Sequence, residues 1–454
     1  MKKIICLLST AALLSSCGIY NKYKPVTSVP EDLYGNETVV SDTLNNISNL
    51  SWRELFTDPQ LQNLIEQGLQ NNTDLQSAHW RIKESEAALK AAKLAFLPSF
   101  SLAPQGTVSS FDKSKATQTY TLPLTASWEV DIFGRLLNSK RQAKAVLAQS
   151  QDYAQAVQTQ LIAAIANSYY TLLMLDEQLR IAESTEQNWK ESLESTRALM
   201  NAGMTTEAAV AQTEATYYGI RTTVLDLREQ INQVENSISL ILAETPHKIQ
   251  RGKLAGQVLP DNFTVGIPLQ MLANRPDVRS AERGMEQAFY GVNQARTAFY
   301  PSIILSGSAG WTNNSGAGII NPGKLLATAV GTITQSLFNK GLNSAQLRIA
   351  KAQQEEAKLA FQQTLLNAGS EVNNALTQYQ TAQSKAQEYE KQISSLERAV
   401  ESTSLLMQHG NTTYLEVLTA RQTLLNAQLN HVANRFTEIQ SLINLYQALG
   451  GGQE

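Results

Sequence analysis

Between Thr119 and Ile132 the chain reads TYTLPLTASWEVDI, and apolar and polar residues alternate through it without exception. Tyr120, Leu122, Leu124, Ala126, Trp128, Val130 and Ile132 fall on one side of an extended backbone, and Thr119, Thr121, Pro123, Thr125, Ser127, Glu129 and Asp131 on the other. A period of two means a strand with one apolar and one polar face. The stretch before it alternates through Phe100 and Leu102 and then loosens, and a polar turn at 109–118 joins the two. The predicted unit is a hairpin over 99–132. Two strands do not stand alone in water, so the apolar face needs a cover.

The residues that follow cannot supply one. Leu136 to Met200 holds no glycine and no proline. Leu147, Ala154, Val157, Leu161, Ile165, Tyr169, Leu172 and Leu179 recur at helical spacing along it. A continuous helix over 136–200 would be on the order of 100 Å long, far beyond a small domain, so it must lie beside helices of similar length. Leu342 to Gln408 repeats the pattern with a single interior glycine, Gly369.

The repetition is general. Phe96-Leu97-Pro98-Ser99 returns as Phe299-Tyr300-Pro301-Ser302, and Gly203-Met204-Thr205-Thr206 as Gly410-Asn411-Thr412-Thr413. Each half is therefore a helix, a β-hairpin, a very long helix, a Gly-Thr-Thr turn and a returning helix. The first repeat spans 51–245, with its hairpin at 99–132 and long helices at 136–200 and 207–243. The second spans 274–449, with its hairpin at 302–338 and helices at 342–408 and 414–449. A linker at 246–273 joins them, and 450–454 is a short tail.

The N-terminus sets the compartment. Lys2 and Lys3 precede an apolar run from Ile4 to Leu14, which makes residues 1–16 a secretory signal peptide. Leu14-Ser15-Ser16-Cys17 resembles a bacterial lipobox, in which Cys17 becomes the acylated N-terminus. Gly18 stands where an inner-membrane retention signal would place Asp, which favours the outer membrane. Residues 17–50, with Pro25 and Pro30, read as an extended tether from that anchor. Cys6 leaves with the signal peptide, so no disulfide is available to the mature chain. The formal net charge is −3, and no basic patch points to nucleic acid.

Four strands of roughly ten residues, apolar outwards and polar inwards, are the signal of a transmembrane barrel wall. Four are too few to close a barrel, which takes about eight. Several copies must share one, and the helices must project from it as a tunnel. The predicted fold is mainly α with a transmembrane β-barrel portion. Trp128-Glu129-Val130-Asp131-Ile132-Phe133-Gly134-Arg135, Asn274-Arg275-Pro276-Asp277-Val278-Arg279 and Phe299-Tyr300-Pro301-Ser302 resemble signature stretches of the TolC-type outer-membrane efflux proteins, in their lipoprotein (NodT-like) branch. The resemblance covers nearly all of the mature chain. It implies a homotrimer with a shared 12-stranded barrel in the outer membrane and a helical barrel in the periplasm. It also implies a periplasmic membrane-fusion adaptor and an inner-membrane efflux pump as partners, and export of small molecules such as drugs or metal ions.

Site residues follow from the same resemblance. The turns carrying Gly203, Thr205, Thr206, Gly410, Thr412 and Thr413 would receive the adaptor. Glycine suits such a tight reversal. The segment from Tyr414 to Arg421 is similar to the family's gate, with Leu415 at the position of an apolar ring that excludes water and ions. Thr419 stands where the family often has Asp, which argues against a carboxylate gate at that level, while Glu416 or Glu207 could supply charge nearby. Enzymatic readings lack support. His79, His247, His409 and His431 show no ligand spacing, and neither a phosphate loop nor a nucleophile elbow is present. Glu129 and Asp131 read as a solvated pore lining. No cofactor is expected beyond the lipid on Cys17. The rival readings are a lipid-anchored periplasmic coiled-coil adaptor and a structural coiled-coil lipoprotein; neither needs two alternating hairpins.

Overall fold

The computed structural model describes residues 21–29, 33, 50–112, 114–258, 274–312, 324–409 and 414–452. Cys17, Gly410, Thr412 and Thr413 lie outside these. The helices are α1 (Trp52–Leu55), α2 (Pro59–Asn71), α3 (Thr73–Leu94), α4 (Arg135–Asn201), α5 (Glu207–Ile241), α6 (Pro276–Thr297), α7 (Leu342–Gln408) and α8 (Tyr414–Ala448). The strands are β1 (Ser99–Leu102), β2 (Gln105–Ser109), β3 (Thr117–Val130), β4 (Ser302–Thr312) and β5 (Lys324–Thr334). Helices α4 and α7 are 67 residues each. Several predicted bounds shift by a few residues: the first hairpin ends at Val130, α4 runs from Arg135 to Asn201, the second hairpin ends at Thr334, α5 at Ile241 and α8 at Ala448. The first strand of hairpin one is broken at Ala103-Pro104, where proline removes a ladder donor.

Two compact units are present, and each draws on both sequence repeats. One comprises Met1–Thr27, Trp80–Asp152 and Arg279–Thr364; the other comprises Ser28–His79, Tyr153–Val278 and Leu365–Glu454.

The first unit holds a wholly antiparallel sheet in which β3 pairs with β4, β4 with β5, and β1 and β2 both lie along β3. Its register sorts the faces. Leu102 meets Leu124, Leu124 meets Ala309, Trp128 meets Leu305, and Ile303 meets Val130 on one side and Ile333 on the other. A continuous apolar face results, as the period of two requires. On the opposite face Ser101, Thr125, Ser308 and Thr328 form one rung. The Ser101–Thr125 and Ser308–Thr328 hydroxyls are bonded at 2.6 and 2.7 Å. Among the described residues nothing covers the apolar face: Phe100, Leu102 and Ile333 are 68%, 62% and 71% exposed.

A capped junction starts α4. Gly134 has φ +75°, and the Asp131 carboxylate accepts from the Leu136 and Leu137 amides at 3.0 and 2.7 Å. Those amides are orphan donors of a helix N-terminus, where negative charge is also favoured. Glu129 pairs with Arg135, and Phe133 stacks on Tyr300 at 5.1 Å. Glu129 and Asp131 thus hold the strand–helix junction through the Arg135 side chain and the first amides of α4.

In the second unit the predicted stripe of α4 is buried most deeply from Leu161 to Leu175, where Ile162, Ala166, Tyr170 and Leu173 are buried as well. The extra cover includes α2, whose Gly68 lets Ile165 approach so closely that a Cβ would stand 2.4 Å from its Cδ1. The linker is tied down by charge. Arg251 donates to both Asp176 oxygens (2.5 and 2.9 Å) and to Glu235 (2.5 Å). Tyr169 donates to Asp58 at 2.6 Å and accepts from the Gly252 amide at 2.9 Å. Burial foremost, then the hydrogen bond to Asp58, pushes the Tyr169 phenol well above its ordinary pKa.

Candidate gate and docking turns

The α4–α5 reversal is built on Gly203. Its φ is +75°, its amide donates to the Met200 carbonyl, and the Met204 amide reaches back to the Leu199 carbonyl, both at 2.9 Å. This paired ending closes a helix through a left-handed residue, which glycine adopts without a Cβ clash. Two residues on, Thr206 caps α5 by accepting from the Ala209 amide at 3.3 Å. Thr205 is half-buried between them. Met204, at the tip, is 74% exposed. The turn thus has its backbone closed by hydrogen bonds and offers an apolar side chain to solvent.

Three cross-helix ion pairs stiffen the hairpin behind it: Arg197–Glu214 at 2.8 Å, Arg221–Glu186 at 3.5 Å and Arg228–Glu183 at 2.8 Å. Each is solvent-exposed and contributes little, about 0–1 kcal/mol.

The start of α8 has two faces. Val417 and Leu418 are buried, and Leu418 joins Trp189 of α4, Ile220 of α5 and Leu425 in one apolar cluster. Leu415 is not part of that cluster and is 52% exposed. Glu416 and Thr419 are exposed on the same first turn and the next. The Thr419 hydroxyl donates to the Leu415 carbonyl at 2.9 Å, a back-bond that keeps it on the helix. Leu415 is therefore not buried among the described residues.

Two side chains here were not singled out by sequence. Trp189 is 1% exposed and anchors the cluster; its signal was a lone tryptophan at helical spacing from Ile181 inside a polar stretch. Arg421 donates to the Ser192 hydroxyl at 3.2 Å and helps line a cleft of about 670 Å³ with Trp189, Val400, Met407 and Leu425. No sequence pattern pairs Arg421 with Ser192. Among the described residues no cluster of His, Cys, Asp and Glu could hold a metal ion.

Comparison with known proteins agrees with this architecture. The family model described as outer membrane efflux protein matches residues 64–244 and 267–451, one match in each repeat. The cation efflux system protein CusC of Escherichia coli (strain K12) is 27% identical over 446 residues, covering 97% of this chain and 98% of its own. The probable outer membrane lipoprotein SilC of Salmonella typhimurium is 26% identical over 451 residues, covering 98% of each. In the crystal structure of the open state of the Neisseria gonorrhoeae MtrE outer membrane channel, 25% identical, the fold matches with a TM-score of 0.85 over 96% of this chain and 98% of that one. The chain belongs to the outer membrane efflux protein family and is an outer-membrane exit channel of an efflux system.

Proposed function

We propose that three copies close a twelve-stranded barrel and form a passive, gated duct. It would carry small molecules, drugs or metal ions among them, from an inner-membrane pump and its periplasmic adaptor to the exterior. The observation that carries this reading is the sheet: among the described residues it has an uncovered apolar face, a hydroxyl-lined opposite face, and outer strands β5 and β1/β2 with no further partner strand. Sheet edges are not left open to lipid. The adaptor would engage the turn at Gly203, Thr205 and Thr206 and its counterpart at Gly410, Thr412 and Thr413. Docking there would draw α8 outwards and part a ring of Leu415 side chains, with Glu416 as the nearby charge. Export energy would come from the pump, and substrate choice with it. Cys17 would carry the lipid.

Conductance across a planar bilayer tests the gate. Wild type is expected to give small or flickering steps and Leu415→Ala stable steps several-fold larger. Equal resting conductance would remove Leu415 from the gate, and an absence of discrete steps in both would remove the channel reading. Fractionation tests the barrel separately from the lipid. Cys17→Ser is expected to need detergent for extraction, because the sheet's apolar face persists; release by alkaline wash would point to a merely anchored protein.

A further inference from the structure

The gate and the turns leave one feature of the sequence unused, the single glycine inside α7. Gly369 is buried, beside Ala368 and Val372, both 0% exposed. Glycine weakens a helix interior relative to alanine, so its presence needs a local cause. A Cβ placed on it would meet the Leu33 carbonyl oxygen at 2.3 Å, the Leu33 Cγ at 2.8 Å and its Cδ1 at 3.1 Å. The missing side chain is a notch, and a residue of the N-terminal segment fills it with both backbone and side chain.

Other residues of that segment are held as well. In the same unit Tyr446 of α8 donates to the Leu50 carbonyl at 2.8 Å. In the other unit the Val26 amide donates to Glu282 of α6 at 2.7 Å, and Tyr23 lies edge-on to Phe289 with ring centres 5.9 Å apart. Burial first, then the charges of Glu282 and Glu286, pushes the Tyr23 phenol up to about 12.

We propose that the described part of the N-terminal segment is held as a brace, and that Gly369 is the seat through which Leu33 holds α7. The brace is a function of the chain itself and does not depend on the gate.

The substitution Gly369→Ala separates the two readings because their signs differ. On a bare helix it stabilises, through propensity and a less flexible unfolded chain. On a seat it evicts Leu33, and here the obstacle is a backbone oxygen that cannot rotate away. Hydrogen exchange on the full chain in detergent is the measurement. Gly369→Ala is expected to speed exchange of the amides of residues 26–29 and 33 by tenfold or more and to lower the melting temperature. Leu33→Gly thins the occupant without touching the helix and is expected to speed the same amides. In that background Gly369→Ala is expected to cost less or to stabilise. Unchanged exchange together with a raised melting temperature in Gly369→Ala would overturn the proposal, as would the same shift in both backgrounds. If Gly369→Ala does not assemble, Leu33→Gly decides alone: faster exchange supports the brace and wild-type exchange refutes it.

Discussion

Gly310→Ala is expected to abolish assembly in the outer membrane. Gly310 of β4 lies opposite Pro123 of β3, and a Cβ there would stand 2.2 Å from the Leu122 carbonyl oxygen and 2.6 Å from the Pro123 Cα. Overpacking a core costs about 1–3 kcal/mol because side chains can shift. Here both obstacles are backbone, so the strands themselves must part. Pro123 already lacks an N–H and gives the ladder no donor at that rung. The β3–β4 ladder is also the one that joins the hairpins of the two repeats, so separation there divides the sheet in two. Gly331→Ala is the control, since its Cβ would meet only the flexible Leu305 Cδ2 at 3.4 Å. Heat-resistant oligomer on unboiled gels should vanish for Gly310→Ala and persist for Gly331→Ala. Equal amounts of oligomer would show that the strands tolerate separation.

Gly310 also marks a limit of what sequence carries. The alternation from Thr119 to Ile132 shows a two-faced strand because period and burial are local properties. The length of α4 is local too, since it rests on an unbroken run without glycine or proline. Register is not local. That Pro123 faces Gly310, and that Trp128 faces Leu305, depends on which strand meets which and at what offset. The loosening after Leu102 was visible, but its cause became clear only with β3 in place: the strand pauses at Pro104 and resumes in phase at Gly106 and Val108, opposite Tyr120 and Gln118.

The candidate site divides in the same way. Gly203 was legible because a left-handed helix ending favours one residue type. The exposure of Leu415 was not, since an apolar residue at helical spacing reads alike whether it faces its own core or a neighbour. The junction contacts of Glu129 and Asp131 were not legible, because alternation reports the face of the sheet and not the helix that begins at Arg135. Trp189, Arg251 and Arg421 act through partners distant in sequence, Ile220, Asp176 and Ser192 among them, and a single chain without its fold gives no means of pairing them.

The second large effect concerns such a partnership, at Arg275. Its side chain is 7% exposed and donates to both Asp277 oxygens at 3.0 and 2.7 Å, to Glu371 at 2.7 Å and to the Ala448 carbonyl at 2.8 Å. The last contact satisfies an orphan acceptor at the C-terminus of α8, where positive charge is favoured. Asp277 and Glu371 keep 44% and 56% of their side-chain surface in water, so the buried charge is the arginine's. Cost should follow that asymmetry. Removing both acids leaves a cation buried and unpaired, a loss of about 3–5 kcal/mol. Arg275→Met removes the buried charge itself and leaves two carboxylates that can rehydrate, so it should cost clearly less. Melting temperatures at one scan rate are expected to fall in the order wild type, Arg275→Met, Asp277→Ala/Glu371→Ala; the reverse order of the two variants would place the buried charge on the acids. Acid gives an independent reading. Burial alone would raise the Asp277 carboxyl, but the Arg275 hydrogen bond and charge outweigh it and hold the group below its ordinary value. A depressed carboxyl contributes stability that is complete above the unfolded value of about 3.9 and is lost as pH falls through the folded one. Wild type should therefore lose melting temperature below about pH 4 more steeply than Arg275→Met, and parallel curves would mean that the pair contributes nothing to the acid response.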